Sequence, residues 1–133
     1  MSEQLALLEV DPYARRDDDF YVTPAWMTRA LLRRLPFGGV TGRIVEPCVG
    51  DGAIVRQLLP WLARVSPSVD VLTNDIMVRP PMLPEFLLDA RRRETWEAFG
   101  RTGRLDITIT NPPFDVAFDI AREAWEAVEV GMA

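Results

Sequence analysis

The chain contains no histidine and no lysine, and its single cysteine is Cys48. Without imidazole there is no Ser-His-Asp triad and no Cys-His nucleophile pair. One cysteine cannot close a disulfide within the chain, and a Cys/His zinc site has no ligand set. All 15 cationic side chains are arginine, set against 20 acidic ones, for a formal net charge of -5. That balance argues against a chain that grips nucleic acid by bulk charge, while leaving room for a local basic groove. No stretch reaches the length of a membrane span. The opening residues Met1 to Glu9 lack the basic flank and long apolar run of a signal peptide, so a location in the cytoplasm of its cell or host is expected. At 133 residues, with 48% apolar and 26% charged side chains, the composition is that of one ordinary globular domain, so disorder is not expected.

What is present is an alternation of elements. Residues 1–19 read as a lead-in closed by the charged run Arg15 to Asp19, a solvated turn. Thr23 and Pro24 predict a helix start, with Thr23 as N-cap and Pro24 in the first turn. Its inward face would be Met27, Ala30, Leu31 and Leu35, and Gly38-Gly39 would end it. Arg43 to Glu46 reads as a strand that runs into the tight turn Pro47-Cys48-Val49-Gly50-Asp51-Gly52. A helix follows with Ile54, Val55, Leu58, Leu59 and Leu62 on its buried stripe and a kink or break expected at Pro60. Val69 to Thr73 is the next strand, ending at Asn74-Asp75, and Glu85 to Leu88 a third, ending at Asp89. Arg91 to Phe99 is predicted helical, Leu105 to Thr110 a strand rich in β-branched residues, and about Val116 to Val128 a last helix. Such alternation predicts an α/β fold, a mostly parallel sheet with helices on its faces, which binds ligands at the carboxyl ends of its strands. Glu46 and its turn, Asp75, Asp89 and Asn111 to Phe114 all fall there.

Each of these sites suits a particular chemistry. Gly50 and Gly52 let the backbone turn tightly and approach a ligand, although a plain turn fits the same residues. Val55 stands where the third glycine of a dinucleotide fingerprint belongs, and an anionic Glu46 beside the turn suits a cationic ligand better than a pyrophosphate. Asp75 is placed to accept from both hydroxyls of a ribose, or simply to close a strand-end turn. Asp89 suits an adenine amino group, or the N-cap of the following helix. In Asn111-Pro112-Pro113-Phe114, two prolines fix the backbone and remove two donors. The Asn111 side-chain oxygen and the Pro112 carbonyl can then accept from one exocyclic amino group while Phe114 stacks on its base. A strand-ending turn with a core phenylalanine is the alternative.

Together these segments resemble the S-adenosylmethionine-dependent N6-adenine DNA methyltransferases. Asp19-Phe20-Tyr21-Val22-Thr23-Pro24 resembles that family's N-terminal cofactor segment, which implies that Tyr21, Thr23 and Pro24 hold the methionine moiety. Glu46-Pro47-Cys48-Val49-Gly50-Asp51-Gly52 resembles its acidic-Pro-x-x-Gly-x-Gly motif. Asn74-Asp75-Ile76 resembles the ribose-binding segment, with Ile76 against the adenine, and Asp89 matches the acidic residue after the third strand. Asn111-Pro112-Pro113-Phe114 matches the catalytic motif. The resemblance covers about Asp19 to Val128 and implies a Rossmann-like three-layer sandwich, S-adenosyl-L-methionine as cofactor, no metal, and DNA with a flipped adenine as substrate. Accepting both amino protons at Asn111 and Pro112 would localise the nitrogen lone pair for in-line attack on the methyl group. Phe114 would receive the flipped base.

Members of that family continue for several more strands and add a DNA-reading region. Residues 20–133 are therefore expected to form a partial methyltransferase domain, truncated after the fourth strand and its helix, with a second chain supplying the rest. Leu105 to Thr110 would then be an exposed apolar edge. Arg91-Arg92-Arg93 reads as a solvated helix face rather than a phosphate clamp. Two other readings stand beside this one. Similar Asn-Pro-Pro-aromatic motifs serve methyltransferases of RNA guanine or protein glutamine, although the Tyr21 to Pro24 segment favours DNA. A non-enzymatic remnant or binding module of the same fold is the other.

Overall fold

A computed structural model describes residues 22–35, 38 and 40–133. The lead-in, Tyr21 and Gly39 lie outside the described residues. Four helices and four strands alternate among those described: α1 (Ala25–Leu32), β1 (Arg43–Glu46), α2 (Ala53–Val65), β2 (Asp70–Thr73), α3 (Arg93–Gly100), β3 (Leu105–Thr108), α4 (Ala117–Ala127) and β4 (Gly131–Met132). All strand pairs are parallel, in the order β2-β1-β3-β4. The chain thus winds from β1 to one side and then crosses to the other, which makes the gap between the carboxyl ends of β1 and β3 the switch point of the sheet.

Successive residues of β1 face opposite ways, so the sheet is covered on both sides. Ile44 packs with Leu32, Ile54, Leu58, Leu62 and Ile107, the layer of α1 and α2. Val45 packs with Leu72, Trp96, Phe99, Leu105 and Ile120, the layer of α3 and α4. Register along β1 and β3 is not uniform: Arg43 pairs with Leu105, but Ile44 pairs with Ile107. Asp106 is the extra residue of this bulge, which explains why Leu105 and Ile107 serve different layers.

Several expectations change. Helix α1 is capped by Pro24 rather than Thr23 and stops at Leu32. Its wholly buried residues are Thr28 and Leu32, with Leu31 and Leu35 packed at the margin, while Met27 and Ala30 are exposed. On α2 the expected stripe is buried except for Leu59, and the helix runs through Pro60 without interruption. Pro60 lies on the exposed face, where the lost amide bond is replaced by no buried donor in need of a partner.

The third strand expected at Glu85 to Leu88 is reduced to one parallel bridge, Asn74 with Phe86. Beyond that bridge the Asn74 side chain takes over, donating to Leu88 O (3.0 Å) and accepting from Leu88 N–H (3.0 Å). A side-chain amide here does the work of a strand's backbone. The expected exposed edge at Leu105 to Thr110 is also corrected. The chain returns after α4, and Gly131–Met132 pair with Ile107 and Thr108. Glu129, Val130 and Ala133 donate to the carbonyls of Leu105, Asp106 and Thr108 at 2.7 to 2.9 Å, and Thr110 N–H donates to Ala133 O. The sheet therefore does not end at the strand that precedes Asn111.

Candidate functional site

A cleft of about 240 Å3 opens at the switch point. Its walls come from five segments far apart in sequence: Thr23, the turn Pro47 to Asp51, Asp75 with Ile76, Leu88 to Arg91, and Asn111 with Pro113. The fold thus brings together nine of the residues singled out from sequence: Thr23, Pro47, Cys48, Gly50, Asp75, Ile76, Asp89, Asn111 and Pro113. Pro24, Glu46, Gly52, Pro112 and Phe114 do not line it. Tyr21 lies outside the described residues.

The floor is built by the turn after β1. Gly50 and Gly52 both have positive φ, 58° and 90°, and Gly52 caps α2 in the left-handed conformation. The turn is held to the end of β2 by two residues. Asn74 is fully buried and donates to Pro47 O (2.9 Å), while its carbonyl accepts from Val49 N–H. The Asp75 carboxylate accepts from Gly50 N–H (2.8 Å) through Oδ2, and from Ile76 and Met77 N–H through Oδ1. Asp75 is therefore first a clamp on the glycine turn. Its Oδ2 has taken one donor, so one acceptor direction on that oxygen remains for a hydroxyl.

Asp89 meets neither of its expected uses directly. Helix α3 is capped by Arg92, and Asp89 instead holds Arg91 through Nε (2.9 Å), Nη2 (2.7 Å) and the backbone amide (3.0 Å). The bound guanidinium keeps the Asp89 carboxyl below its usual range. The arginine run is otherwise ion-paired at its other end, Arg93 lying 3.6 Å from Glu123, which fits a helix face rather than a phosphate clamp.

Beyond β3, the Asn111 side chain donates through Nδ2 to Thr23 Oγ1 at 3.1 Å. A hydroxyl freed from helix capping thereby orients the amide, and Oδ1 is left as its acceptor. Phe114 is 63% exposed, which removes the reading of it as a core phenylalanine. Ile76, 58% exposed, offers an apolar surface at the cleft wall.

Glu46 is 1% exposed, at the end of β1 beneath this turn. Neither carboxyl oxygen has a hydrogen bond of complete geometry, although the Thr110 hydroxyl and the Cys48 amide lie near enough to favour the charge. Burial outweighs them, with Asp75 adding repulsion, and holds the Glu46 carboxyl well above the usual range. Burial and the same two acids push the Cys48 thiol up as well, so it is not a thiolate nucleophile at neutral pH.

Sequence reasoning missed Asn74, Asp51, Arg79, Arg91 and Asp115, all but the first of which line the cleft. Asn74 carried a faint signal, a polar residue placed where β2 should still be apolar. The others sit in loops whose path only the fold defines. Among the described residues, no group of three or more His, Cys, Asp or Glu is arranged to hold a metal, and no helix is long and apolar enough to cross a membrane. No family model, curated protein or solved structure matches the chain.

Proposed function

We propose that this chain carries the cofactor-binding and catalytic elements of an S-adenosylmethionine-dependent methyltransferase with a Rossmann-like fold, acting on the N6 amino group of adenine in DNA. The observation that carries the reading is the Thr23–Asn111 hydrogen bond. It joins the two segments, 88 residues apart, whose motifs point to that chemistry, at the rim of a cleft whose other walls are the glycine turn and Asp75.

The residues present suit the cofactor in three respects. The remaining acceptor on Asp75 Oδ2 suits a ribose hydroxyl. The glycine turn allows close backbone approach. The unpartnered carboxyl of Glu46 suits an ammonium group. When bound, S-adenosylmethionine supplies an electrophilic methyl group on sulfonium. The chain's own task is to prepare the nucleophile. Asn111 Oδ1, held by Thr23, accepts one amino proton, and the Pro112 carbonyl is the second acceptor. With both hydrogen bonds made, the nitrogen lone pair is drawn out of the ring. Phe114, exposed beside this turn, is available to stack on an extruded base. No imidazole is needed, in keeping with a chain that has none.

The test uses the purified chain, methyl-labelled S-adenosylmethionine and adenine-containing DNA. Asn111→Ala is expected to lower transfer on the order of 10²–10³-fold, the scale for losing one hydrogen bond to developing charge. Calorimetry should show cofactor affinity retained. Transfer undiminished in Asn111→Ala overturns the role of the motif, and a folded chain that does not bind S-adenosylmethionine overturns the reading.

A further inference from the structure

At the switch point, the carboxyl ends of β1 and β3 enclose a set of polar oxygens that the protein leaves without partners. Oε1 and Oε2 of Glu46, Oγ1 of Thr108 and Oγ1 of Thr110 are all buried and lack a hydrogen bond of complete geometry. Thr108 pairs in register with Val45, the residue before Glu46, so these oxygens come from adjacent positions on neighbouring strands. Buried polar atoms are nearly always paired, and a carboxylate left bare inside a protein is among the costliest cases. The groups that could share its charge do not do so. Cys48, from the turn after its own strand, keeps its proton, and Asp75, at the end of β2, is itself an acid. From β3 the near group is the neutral hydroxyl of Thr110. α2 opens under the same turn with no acidic or basic residue in its first turn.

A carboxyl in such surroundings has two ways to avoid a bare charge. It can hold a proton, or it can face a cation. Cys48 and Asp75, its immediate neighbours, also line the cleft, so a cationic group entering there arrives next to it. We infer that Glu46 is a proton-linked receptor for an ammonium group: it carries a proton in the ligand-free chain and releases it when the cation enters the cleft. This rests on the proposed binding of S-adenosylmethionine, whose methionine end carries such a group. In the exchange the Oε–H bond breaks, its electron pair stays on oxygen, the proton passes to buffer, and N–H donors of the ammonium replace it. The device keeps the empty site neutral and makes occupancy depend on pH. Below the ordinary range of an α-amino group, roughly 7.7–8.0, the affinity should rise about tenfold per pH unit for as long as Glu46 is protonated in the unbound chain.

Two measurements test it. The first needs no ligand. Infrared difference spectra of the chain labelled with 13C-glutamate, at about pH 6.5 where an ordinary glutamic acid of pKa roughly 4.3 is ionised, should show one protonated glutamic carboxyl band. The second is calorimetric titration with S-adenosylmethionine at the same pH in two buffers of different ionisation enthalpy, which should give one proton released per site. Glu46→Gln, of the same shape, should remove both the band and the release. No protonated glutamate band in the wild-type chain overturns the inference, whether or not the variant folds. Binding without proton release overturns it too, while leaving the cofactor reading intact. No binding by a chain that does show the band overturns the cofactor reading and the release step with it.

Discussion

An aspartate in the middle of a strand whose every residue is buried would ordinarily be expelled to solvent, yet Asp106 has no exposed surface. The bulge between β1 and β3 explains it. As the unpaired residue, Asp106 turns its carboxylate toward the start of β1, where Thr41 and Gly42 N–H donate to it at 2.8 Å each and Arg104 pairs with it. Burial alone would raise its pKa, but the two amides and the guanidinium outweigh that, and the carboxyl stays below its usual range. A carboxyl depressed on folding stabilises the fold above its unfolded pKa, roughly 3.9, and loses that contribution as pH falls through the lower folded value. Asp106→Asn is therefore expected to cost about 1–3 kcal/mol at neutral pH. Chemical denaturation should show that cost shrinking below about pH 4. A pH-independent difference would mean that shape rather than charge holds the bulge. Glu46 has the opposite sign. Its raised carboxyl makes the empty chain less stable as pH climbs above roughly 4.3.

The turn after β1 shows how an element is fixed by others. Its backbone needs left-handed residues at Gly50 and Gly52, and its position needs Asn74 and Asp75 from the end of β2. A Cβ at Gly52 would meet Met82 Sδ at 3.2 Å, a flexible side chain that can move, so the penalty is mainly conformational. Gly52→Ala should destabilise by about 1–2 kcal/mol, the cost of a left-handed residue with a Cβ. Because α2 begins at this residue, the change should also loosen the floor of the cleft. Native-state hydrogen exchange at Gly50 and Val49 is expected to quicken more than at the centre of β3. Uniform acceleration across the sheet would show that the turn is not a separate unit.

For the molecule as a whole, the edge of the sheet decides what remains exposed. β4 is only two residues long, yet it and its flanks engage β3 from Leu105 to Thr110 through four backbone hydrogen bonds. Removing residues 129–133 should uncover that strand. The expected loss is about 2 kcal/mol or more from the hydrogen bonds alone. An uncovered edge of this apolar strand also invites pairing between chains. Thermal melts and sedimentation of the shortened chain check this. A shortened chain as stable and as monomeric as the full one would mean that β4 covers nothing of consequence. At the amino ends of the strands, away from the cleft, Arg43 joins three segments. It pairs with Asp70 at 2.9 Å and Glu85 at 2.7 Å and donates to Thr102.

Much of this was legible in the sequence. Apolar periodicity and β-branched runs locate β1, β2, β3, α2, α3 and α4, because those signals arise from burying one face of a helix or both faces of a strand. The parallel order follows from the alternation of strand and helix. Placement of polar residues at strand ends put nine of the sixteen singled-out residues on the cleft wall. Tertiary structure decided the rest. Thr23 was legible only as a helix cap, because its partner Asn111 lies 88 residues away. Asn74 and Asp106 looked out of place in their strands, since their partners are backbone groups of other segments. The third strand failed because a single side-chain amide satisfies the backbone of Leu88 in its place. β4 was invisible because two residues carry no period, and only the neighbouring edge of β3 gives them a reason to extend. Local pattern determines which segments can be buried; hydrogen bonds between distant segments determine which atoms meet.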